Sequence, residues 1–457
     1  MSSLQDTYRP SHTIAWVILA FVCYALPWSV LAATLPLPAN GQPALRIHGS
    51  NTIGAQLSLL MVRGFLKEQG FERVVSQNGL QENERLVIGT RADGKSVRIE
   101  MAAHGSSTGF QGLISGEADI AAASRPIKSS EALKLESLGD SRGAGSEHVI
   151  GIDGIAIIVN PANPLASLST EDLARVFSGD IQDWKALQGP AGPIHLYARD
   201  DRSGTFDTFK ELVMASSGKS LAATAERFES NDALSAAILK DPNGIGFVGL
   251  AAIGKAKTLT VSDGQALPLA PTTNTIATED YPLSRRLFFY TRPLETNPWV
   301  KALVSYAQSP AGQQWVNLSG FVAQEIMAVR PVVPSNAPDS YQALTTSAQR
   351  LSVNFRFAEG SATLDNKANR DIQRLLDYLK QNDKLDKKVT LIGFSDTKEN
   401  LKRAELLSKL RAMAVRRELN KGGVIFHDIV GLGEALPVAS NASNNRLKNR
   451  RVEVWVH

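Results

Sequence analysis

The chain has 457 residues, more than a single compact core usually contains, so two or three domains are expected. Hydrophobic residues make up 43% and charged residues 21%, the ordinary balance of a globular protein. The formal net charge is only +4, and the sequence has no block of lysine and arginine and no basic stripe with interleaved aromatic residues. This composition argues against nucleic acid as a partner.

Residues 1–33 are predicted to be an export signal. Arg9 supplies a positive start, an apolar run covers 14–31, and small residues near its end predict cleavage after Ala32 or Ala33. An uncleaved signal anchor is the alternative, because the run is close to membrane-spanning length. The only cysteine, Cys23, lies inside this segment, so the mature chain is expected to contain no disulfide, thiolate metal site or cysteine nucleophile.

From residue 44 to about residue 330, short apolar runs alternate with amphipathic helical stretches, as in an α/β domain. Strands are predicted at 44–48, 97–101, 155–159 and 244–249. The run at 155–159 is apolar throughout, which is typical of a strand buried on both faces. A helix after the first strand is predicted from apolar residues at helical spacing, namely Ile53, Leu57, Leu60, Met61 and Phe65.

Residues 331–347 contain three prolines and several serines and threonines, and they are predicted to be a linker. The remaining segment, 348–457, has the pattern of a small α+β domain. Its predicted elements are a helix with apolar positions at 372–379, a strand at 388–392, a second helix that ends before Gly422, and a closing strand at 451–456.

Three segments of the α/β region place glycine and hydroxyl residues directly before a helical pattern, at 48–52, 105–109 and 199–205. The N-terminal end of a helix offers free N–H groups to an anion, hydroxyls add neutral donors, and glycine permits close approach. Arg199 could add a bidentate contact to a tetrahedral oxyanion. Any one of these segments could equally be a simple helix cap, and the residues alone leave an anion site and ordinary caps about equally supported.

The region 44–330 resembles the phosphate-binding receptors of high-affinity phosphate ABC transporters, the PstS-like proteins. The most specific element is the Arg-x-x-x-Ser-Gly-Thr motif at 199–205, and 49–52, 105–109 and 116–126 match the family's other loops. The resemblance implies a type II periplasmic-binding-protein fold, α/β and two-lobed, in which a hinge closes over phosphate. The phosphate-binding residues that it implies are Thr52, Ile53, Ser106, Arg199, Ser203, Gly204 and Thr205, with Ser124 and Arg125 as secondary candidates.

The same resemblance implies lobe boundaries and a cellular role. Lobe 1 is expected at about 44–150 and 246–330, and lobe 2 at about 151–245. The implied role is a periplasmic receptor for phosphate uptake or sensing, with an inner-membrane ABC permease as a further partner, no cofactor and no catalysis.

One position departs from the pattern of some family members, which carry an aspartate in the third loop that accepts the proton of hydrogen phosphate. Here the loop reads Ser124-Arg125. A carboxylate acceptor rejects fully deprotonated sulfate, so sulfate stays open as an alternative ligand. Asp119, Asp200 or Asp201 could substitute as the acceptor, although each is more simply explained as a surface or helix-start carboxylate.

The C-terminal segment resembles the peptidoglycan-binding domain of OmpA-like proteins over nearly its whole length. The matching stretches are 357–362, 393–396, 407–412 and 449–453. The resemblance implies that Asp396 and Arg411 bind the diaminopimelate of the peptidoglycan stem peptide, with Asn400 and Arg450 as secondary candidates. A fixed anion–cation pair suits diaminopimelate, which ends in an amine and a carboxylate on one carbon. An exposed salt bridge without function is the alternative, and Phe394 stands where the family usually has histidine.

Two other classes of function remain open from the sequence. Gly105, Ser107 and Gly109 fit the nucleophile-elbow pattern of a serine hydrolase, with His148 or His195 as the available histidines, but anion binding explains the same loop. The second is a structural cell-wall protein whose two-lobed domain holds no ligand. The seven histidines show no metal-ligand spacing, so no metal site is expected.

Overall fold

The computed structural model describes residues 35–457 apart from positions 40, 55, 202, 265, 332, 358–362, 397–399 and 442–443. The predicted export signal with its cleavage point and Cys23 lies outside the described residues. Residues Pro36 to His457 pack together as one unit, in which a two-lobed domain is followed by a smaller C-terminal domain.

Lobe 1 is built from strands that alternate with helices. Its first part comprises β1 (Leu45–Gly49), α1 (Asn51–Gly54), α2 (Leu57–Glu68), β2 (Arg73–Asn78), β3 (Glu84–Thr90), β4 (Ser96–Ala102), α3 (Ser106–Ser115), β5 (Ile120–Ala123) and α4 (Ser129–Leu135). Leu57, Met61 and Phe65 are fully buried, as their helical spacing predicts. Because β1 lies parallel between β4 and β5, the loops that follow these three strands meet at one edge of the sheet.

A long strand, β6 (Glu147–Val159), carries the chain out of lobe 1, and twelve of its thirteen residues are buried. Lobe 2 comprises β7 (Ser167–Ser169), α5 (Thr170–Phe177), β8 (His195–Arg199), α6 (Gly204–Phe209), β9 (Glu226–Phe228), α7 (Asn231–Lys240), β10 (Gly244–Gly249), β11 (Lys257–Thr258), β12 (Thr260–Ser262) and α8 (Thr273–Ala277). The chain returns through β13 (Ser284–Thr291) and completes lobe 1 with α9 (Pro298–Ala307) and α10 (Pro310–Leu318).

The strands β6 and β13 form the hinge. The first half of β6 pairs with β13, which also pairs with β5 of lobe 1, and the second half of β6 pairs with β10 of lobe 2. The sheet order is therefore β2-β3-β4-β1-β5-β13-β6-β10-β8-β9, with β11 on the side of β6. Two lobes joined by two crossover strands are suited to opening and closing about that pair.

Lobe 2 extends farther along the chain than we expected from the sequence. The expected return to lobe 1 at residue 246 falls inside β10, which pairs with β6 and β8. Ile276, Ala277 and Tyr281 still pack in the lobe 2 core, so the chain returns after residue 281. The sequence of the glycine-rich run at 244–249 does not indicate whether its strand belongs to lobe 2 or is the strand that returns to lobe 1.

The C-terminal domain is a five-stranded sheet in the order β14-β15-β18-β16-β17 with helices packed against it. Its elements are β14 (Ala328–Val329), α11 (Asp339–Ser347), β15 (Gln349–Arg356), α12 (Asn366–Gln381), β16 (Asp386–Gly393), α13 (Leu401–Lys421), β17 (Ile425–Gly431) and β18 (Arg451–Val456). The strands and helices predicted from 372 onward are confirmed. The stretch 331–347, expected to be a linker, instead contains α11, whose Tyr341 is buried against Trp455 and donates a hydrogen bond to Glu453.

The two domains meet along an ionic contact that we call the interdomain seam, formed by 278–282 and Arg286 against β15, α12 and β18. Asp280 lies 2.7 Å from Nη2 of Arg350 and 3.3 Å from Nη2 of Arg356. Glu279 lies 2.9 Å from Nε of Arg286, whose Nη1 in turn lies 2.8 Å from Asp365. The seam thus consists of buried charges held by opposite charges from the other domain.

Candidate functional site

The three loops of lobe 1 bring serine hydroxyls together at one edge of the sheet. Ser50 follows β1, Ser106 opens α3 after β4, and Ser124 follows β5. Ser50 Oγ donates to Ser124 Oγ at 3.1 Å, and Ser106 Oγ accepts from the Ser124 backbone N–H at 3.2 Å. Ser106 Oγ also lies 3.4 Å from Ser124 Oγ, and either hydroxyl can donate in that contact, so the three serines form one hydrogen-bonded cluster.

Glycine is required where these loops cross. Gly49 has φ of +140°, and a Cβ there would overlap the carbonyl of Ala122. Its carbonyl accepts from the Gly105 N–H at 2.8 Å, and the Ser50 N–H donates to Ala122 O at 2.8 Å. The glycines of the predicted loops therefore fix the spacing of the hydroxyls around them.

On the facing side, β8 of lobe 2 ends at Arg199, which is half-buried. Its Nε donates to Phe228 O at 3.2 Å and its Nη2 donates to Glu229 O at 2.7 Å. Burial lowers the pKa of the guanidinium, and Asp200 and Glu229 oppose this effect, so the group stays charged. Nη1 has no hydrogen-bond acceptor among the described residues, which leaves it free to contact an anion.

The rest of the Arg-x-x-x-Ser-Gly-Thr motif opens α6. Ser203 is the N-cap residue, and its Oγ accepts from the Phe206 N–H. Thr205 is partly exposed on the first turn, where its hydroxyl has no partner among the described side chains. The motif thus presents one cation and two hydroxyls from a single loop.

The two lobes touch at this motif. A Cβ on Gly204 would overlap the Cα and Oγ1 of Thr52, so only glycine permits this approach. Thr52 lies in α1 beside Ile53, whose side chain is fully buried, so Ile53 can offer a ligand only its backbone. Loops 49–53 and 199–205 therefore face each other across a closed cleft.

Ser124 and Arg125, the two candidates in the third loop of lobe 1 after β5, have different surroundings. Ser124 is buried within the serine cluster. Arg125 forms a bidentate pair with Glu131, at 2.9 and 2.8 Å, and also donates to Ser107 Oγ. Since Glu131 already neutralises this guanidinium, Arg125 organises the loop around Ser107 rather than adding net positive charge.

Each aspartate considered as a proton acceptor already has a partner. Asp119 pairs with Arg46 and Arg292, toward the start of β1 and away from the loop that follows this strand. Asp201 pairs with Arg227 at 2.6 Å and is 83% exposed. Asp200 also has an interaction partner. Ser124 of the third loop is itself bonded to the hydroxyls of Ser50 and Ser106, and such hydroxyls can accept as well as donate.

The serine hydrolase arrangement has no base in place. Ser107 Oγ accepts from Arg125, and no histidine or carboxylate bonds to it within the described part of the chain. His195 pairs with Asp241 in lobe 2, whereas burial lowers the pKa of His148, with Arg370 acting in the same direction, to about 4. A serine nucleophile needs an adjacent base, and this loop does not supply one.

Among residues 35–457 as described, no group of three or more His, Cys, Asp or Glu side chains could hold a metal ion. None of the described helices is both long enough and apolar enough to span a bilayer.

Sequence reasoning missed several groups at the cleft. Ser50 lies in a predicted loop and could have been chosen by its hydroxyl. Arg285, Asp153 and Thr208 lie outside every recognised motif, yet Arg285 reaches both Thr52 and Gly204. Their sequence separations of 55 to 233 residues give no local signal.

In the C-terminal domain, Asp396 and Arg411 are buried close to each other on either side of Ser395. Arg411 Nη1 donates to Ser395 Oγ at 3.2 Å, and Ser395 Oγ donates to Asp396 at 3.4 Å. Arg450 forms the direct ion pair with Asp396, at 2.9 Å. The pKa of Arg411 is lowered, first by burial and then by Arg450, against the opposing effect of Asp396.

The helix that carries Arg411 approaches the sheet at glycines. A Cβ at Gly393 would overlap Ser408 O, and one at Gly431 would meet Ser408 Oγ. Asn400 caps this helix by accepting from the N–H groups of Lys402 and Arg403. Phe394 is fully buried with Arg451 stacked on its ring, so it belongs to the core rather than to the pocket.

These features define a two-lobed binding domain of the periplasmic-binding-protein type joined to an OmpA-type domain. Residues 86–311 match the family described as PBP superfamily domain, and residues 356–451 match the OmpA family. The phosphate-binding protein PstS of Staphylococcus saprophyticus is 31% identical over 240 residues, which cover 50% of this chain and 73% of that protein. The chain belongs to the PstS family.

Two further similarities were found. Protein SphX of Synechococcus elongatus is 30% identical over 207 residues, covering 43% of this chain and 60% of that protein. The crystal structure of a possible phosphate-binding protein from Planctomyces limnophilus is 25% identical, covers 66% of this chain and 96% of that one, and has a TM-score of 0.49.

Proposed function

We propose that this protein is a periplasmic receptor that captures inorganic phosphate in the cleft between its lobes and is held on peptidoglycan by its C-terminal domain. The main support for phosphate capture is the close contact between Gly204 and Thr52. This contact brings the loop that contains Arg199 against the hydroxyl-lined loop of lobe 1. The PstS relative, which is named a phosphate-binding protein, supports the same ligand.

The cleft suits a tetrahedral oxyanion that has lost its water. Arg199 offers Nη1, while Thr52, Ser106, Ser203 and Thr205 offer hydroxyls. Neutral donors together with a single cation replace a hydration shell without trapping the anion irreversibly. Ser124 occupies the third loop and can accept a hydrogen bond as well as donate one, which favours an anion that still carries a proton, as hydrogen phosphate does.

Titration calorimetry of the purified chain with phosphate and then with sulfate tests this half. Phosphate should bind, sulfate should bind at least tenfold more weakly, and Arg199→Ala should weaken phosphate binding by about 100-fold or more, since a buried charge-assisted contact is lost. Arg175→Ala, an exposed arginine on α5, is the matched control. Tighter binding of sulfate than of phosphate would make the protein a sulfate receptor. If neither anion bound, the receptor function would be contradicted.

The second half is supported by the buried pair of Asp396 and Arg411 beside Ser395 in an OmpA-family domain. Here an ammonium group of diaminopimelate would pair with Asp396 and its carboxylate with Arg411, and Arg450 would hold Asp396 in place. Tethering would keep the receptor near the wall, where an inner-membrane ABC permease is the partner we propose for uptake.

Co-sedimentation with purified diaminopimelate-containing peptidoglycan tests the tether. The unsubstituted chain should pellet with the wall, and both Asp396→Ala and Arg411→Ala should stay in the supernatant. Arg417→Ala, on the same helix but 76% exposed, should pellet normally. Pelleting of all variants alike would show that the pocket is not the attachment point.

A further inference from the structure

Arg285 is a buried arginine at the hinge. It lies at the start of β13, and its side chain is 6% exposed. Its Nε lies 3.3 Å from Asp153 Oδ2 on β6, and its Nη1 lies 2.9 Å from Glu211 Oε2. The ion pair with Asp153 therefore ties the two hinge strands together, and the two carboxylates balance the buried charge.

The remaining terminal nitrogen of Arg285 contacts a loop from each lobe. Nη2 donates to Thr52 Oγ1 at 2.8 Å and to the Gly204 carbonyl at 3.1 Å. Thr208 reinforces this arrangement, since its hydroxyl contacts both Asp153, at 2.8 Å, and Gly204 O, at 3.0 Å. One guanidinium thus joins the hinge, the lobe 1 loop and the lobe 2 loop.

This contact determines what the Thr52 hydroxyl can do. A hydroxyl has one proton to donate and lone pairs to accept with, and Arg285 occupies the accepting side. No acceptor for the Thr52 proton lies among the described side chains. The hydroxyl is therefore left as a donor, which is the role that an oxyanion requires.

We propose that Arg285 is a positioning residue for oxyanion capture. It acts through Thr52, whose hydroxyl it holds as a donor, and through Gly204, which it holds against Thr52 when the cleft is closed. This inference rests on the proposed function of the cleft. Because Asp153 and Glu211 neutralise Arg285, its contribution is directional and does not add net charge to the site.

The test is a double-variant cycle on the full chain, read by phosphate titration calorimetry and stopped-flow dissociation. Arg285→Gln should weaken phosphate binding by about 10- to 100-fold, mainly through faster release, as expected for loss of a charge-assisted bond. Thr52→Val should weaken it by a similar factor. The double variant should be little worse than either single variant, because both changes break the same arrangement.

Two controls separate positioning from general stability. Arg292→Gln removes a partly buried pair with Asp119 in lobe 1 and should lower Tm without changing phosphate affinity. Arg285→Lys keeps a charge for the two carboxylates, and hence the fold, but cannot make both Nη2 bonds, so it should also bind phosphate more weakly.

Three results would overturn the proposal. An Arg285→Lys or Arg285→Gln protein that binds phosphate within twofold of the unsubstituted chain would show that Arg285 is only structural. Strictly multiplicative losses in the double variant would show that it does not act through Thr52. Failure of the unsubstituted chain to bind phosphate or sulfate would instead refute the function of the cleft and remove the basis of this role.

Discussion

The cleft between the lobes and the interdomain seam differ in whether their buried charges are paired within the protein. The cleft presents hydroxyls and one guanidinium with a free nitrogen, so its charge is uncompensated until an anion arrives. In the seam, Glu279, Asp280 and Arg286 are already paired with charges of the C-terminal domain. Neighbouring residues of one segment serve the two regions, since Arg285 contacts the cleft loops and Arg286 lies in the seam, yet the cleft is suited to an exchangeable partner and the seam to a permanent one.

Buried charges have different roles in the seam and in the cleft. In the seam, burial by itself would raise the pKa of Glu279, but Arg286, Lys367 and Arg356 outweigh it and lower the pKa to about 2. In the cleft, burial lowers the pKa of Arg199, and no pairing carboxylate restores it fully. A compensated cluster stabilises one arrangement of two domains, whereas an uncompensated cation favours binding of an anion from solution.

The largest expected effect comes from breaking the seam. Glu279→Gln is nearly isosteric but leaves Arg286, Arg356 and Lys367 short of a negative charge, so the free energy of unfolding should fall by about 3–5 kcal/mol. Phosphate affinity should change by less than twofold, because the cleft residues are untouched. Urea denaturation and titration calorimetry on the same samples measure the two quantities.

Asp201→Asn is the matched control for that substitution. Its pair with Arg227 is exposed, so the expected loss of stability is at most about 1 kcal/mol. If both variants lost the same stability, the seam would be no stronger than a surface ion pair.

Acid should weaken the seam as a smaller, graded effect. The folded-state pKa of Glu279 is depressed to about 2, so the stability that it contributes is fully present above its unfolded pKa of about 4.3 and is lost as pH falls from there toward 2. The slope can reach about 1.4 kcal/mol per pH unit for one carboxyl. Denaturant midpoints from pH 6 to pH 3 measure it, and Glu279→Gln should show a shallower slope than the parent.

Gly204→Ala should have the smallest effect on stability but should clearly weaken phosphate binding in the cleft. The added methyl collides with Thr52 only when the lobes are closed, so phosphate binding should weaken by at least about tenfold while Tm stays nearly constant. Gly145→Ala has open space at its Cβ and serves as the control. Unchanged affinity in Gly204→Ala would show that full closure is not needed for capture.

The sequence predicted the parts of the molecule whose signals are local. Alternating or continuous apolar runs identified the strands at 45–49, 96–102 and 451–456, and helical spacing identified α12 and α13. The loops that carry Ser50 and Ser106 were found because glycine and hydroxyl residues mark helix starts, whereas the loop that carries Ser124 was found only through the family resemblance. The candidate residues Thr52, Gly204 and Arg199 do lie at the cleft, although their contacts to a ligand remain predictions.

What the sequence could not show depends on contacts between distant residues. Asp280 and Arg350 are 70 residues apart, and a charged residue in a sequence resembles a solvent-exposed one wherever it is. Arg285 belongs to no motif, and its importance is visible only where two lobes converge on it. The stretch 331–347 was predicted to be a linker because it contains three prolines. Pro338 directly before α11, and Tyr341 and Leu344 at helical spacing, nevertheless indicated a helix there.

The short strand β14 has a consequence for how the chain can be divided. It precedes α11 and pairs with Arg350 and Leu351 of β15, and Ile326 and Ala328 pack against the C-terminal core. A fragment that starts at α11 would lose this cover and leave the backbone groups of β15 as an open sheet edge, which invites pairing with another copy. A cut before Ile326 leaves the small domain with its own edge protected, and it is the cut most compatible with a monomeric fragment.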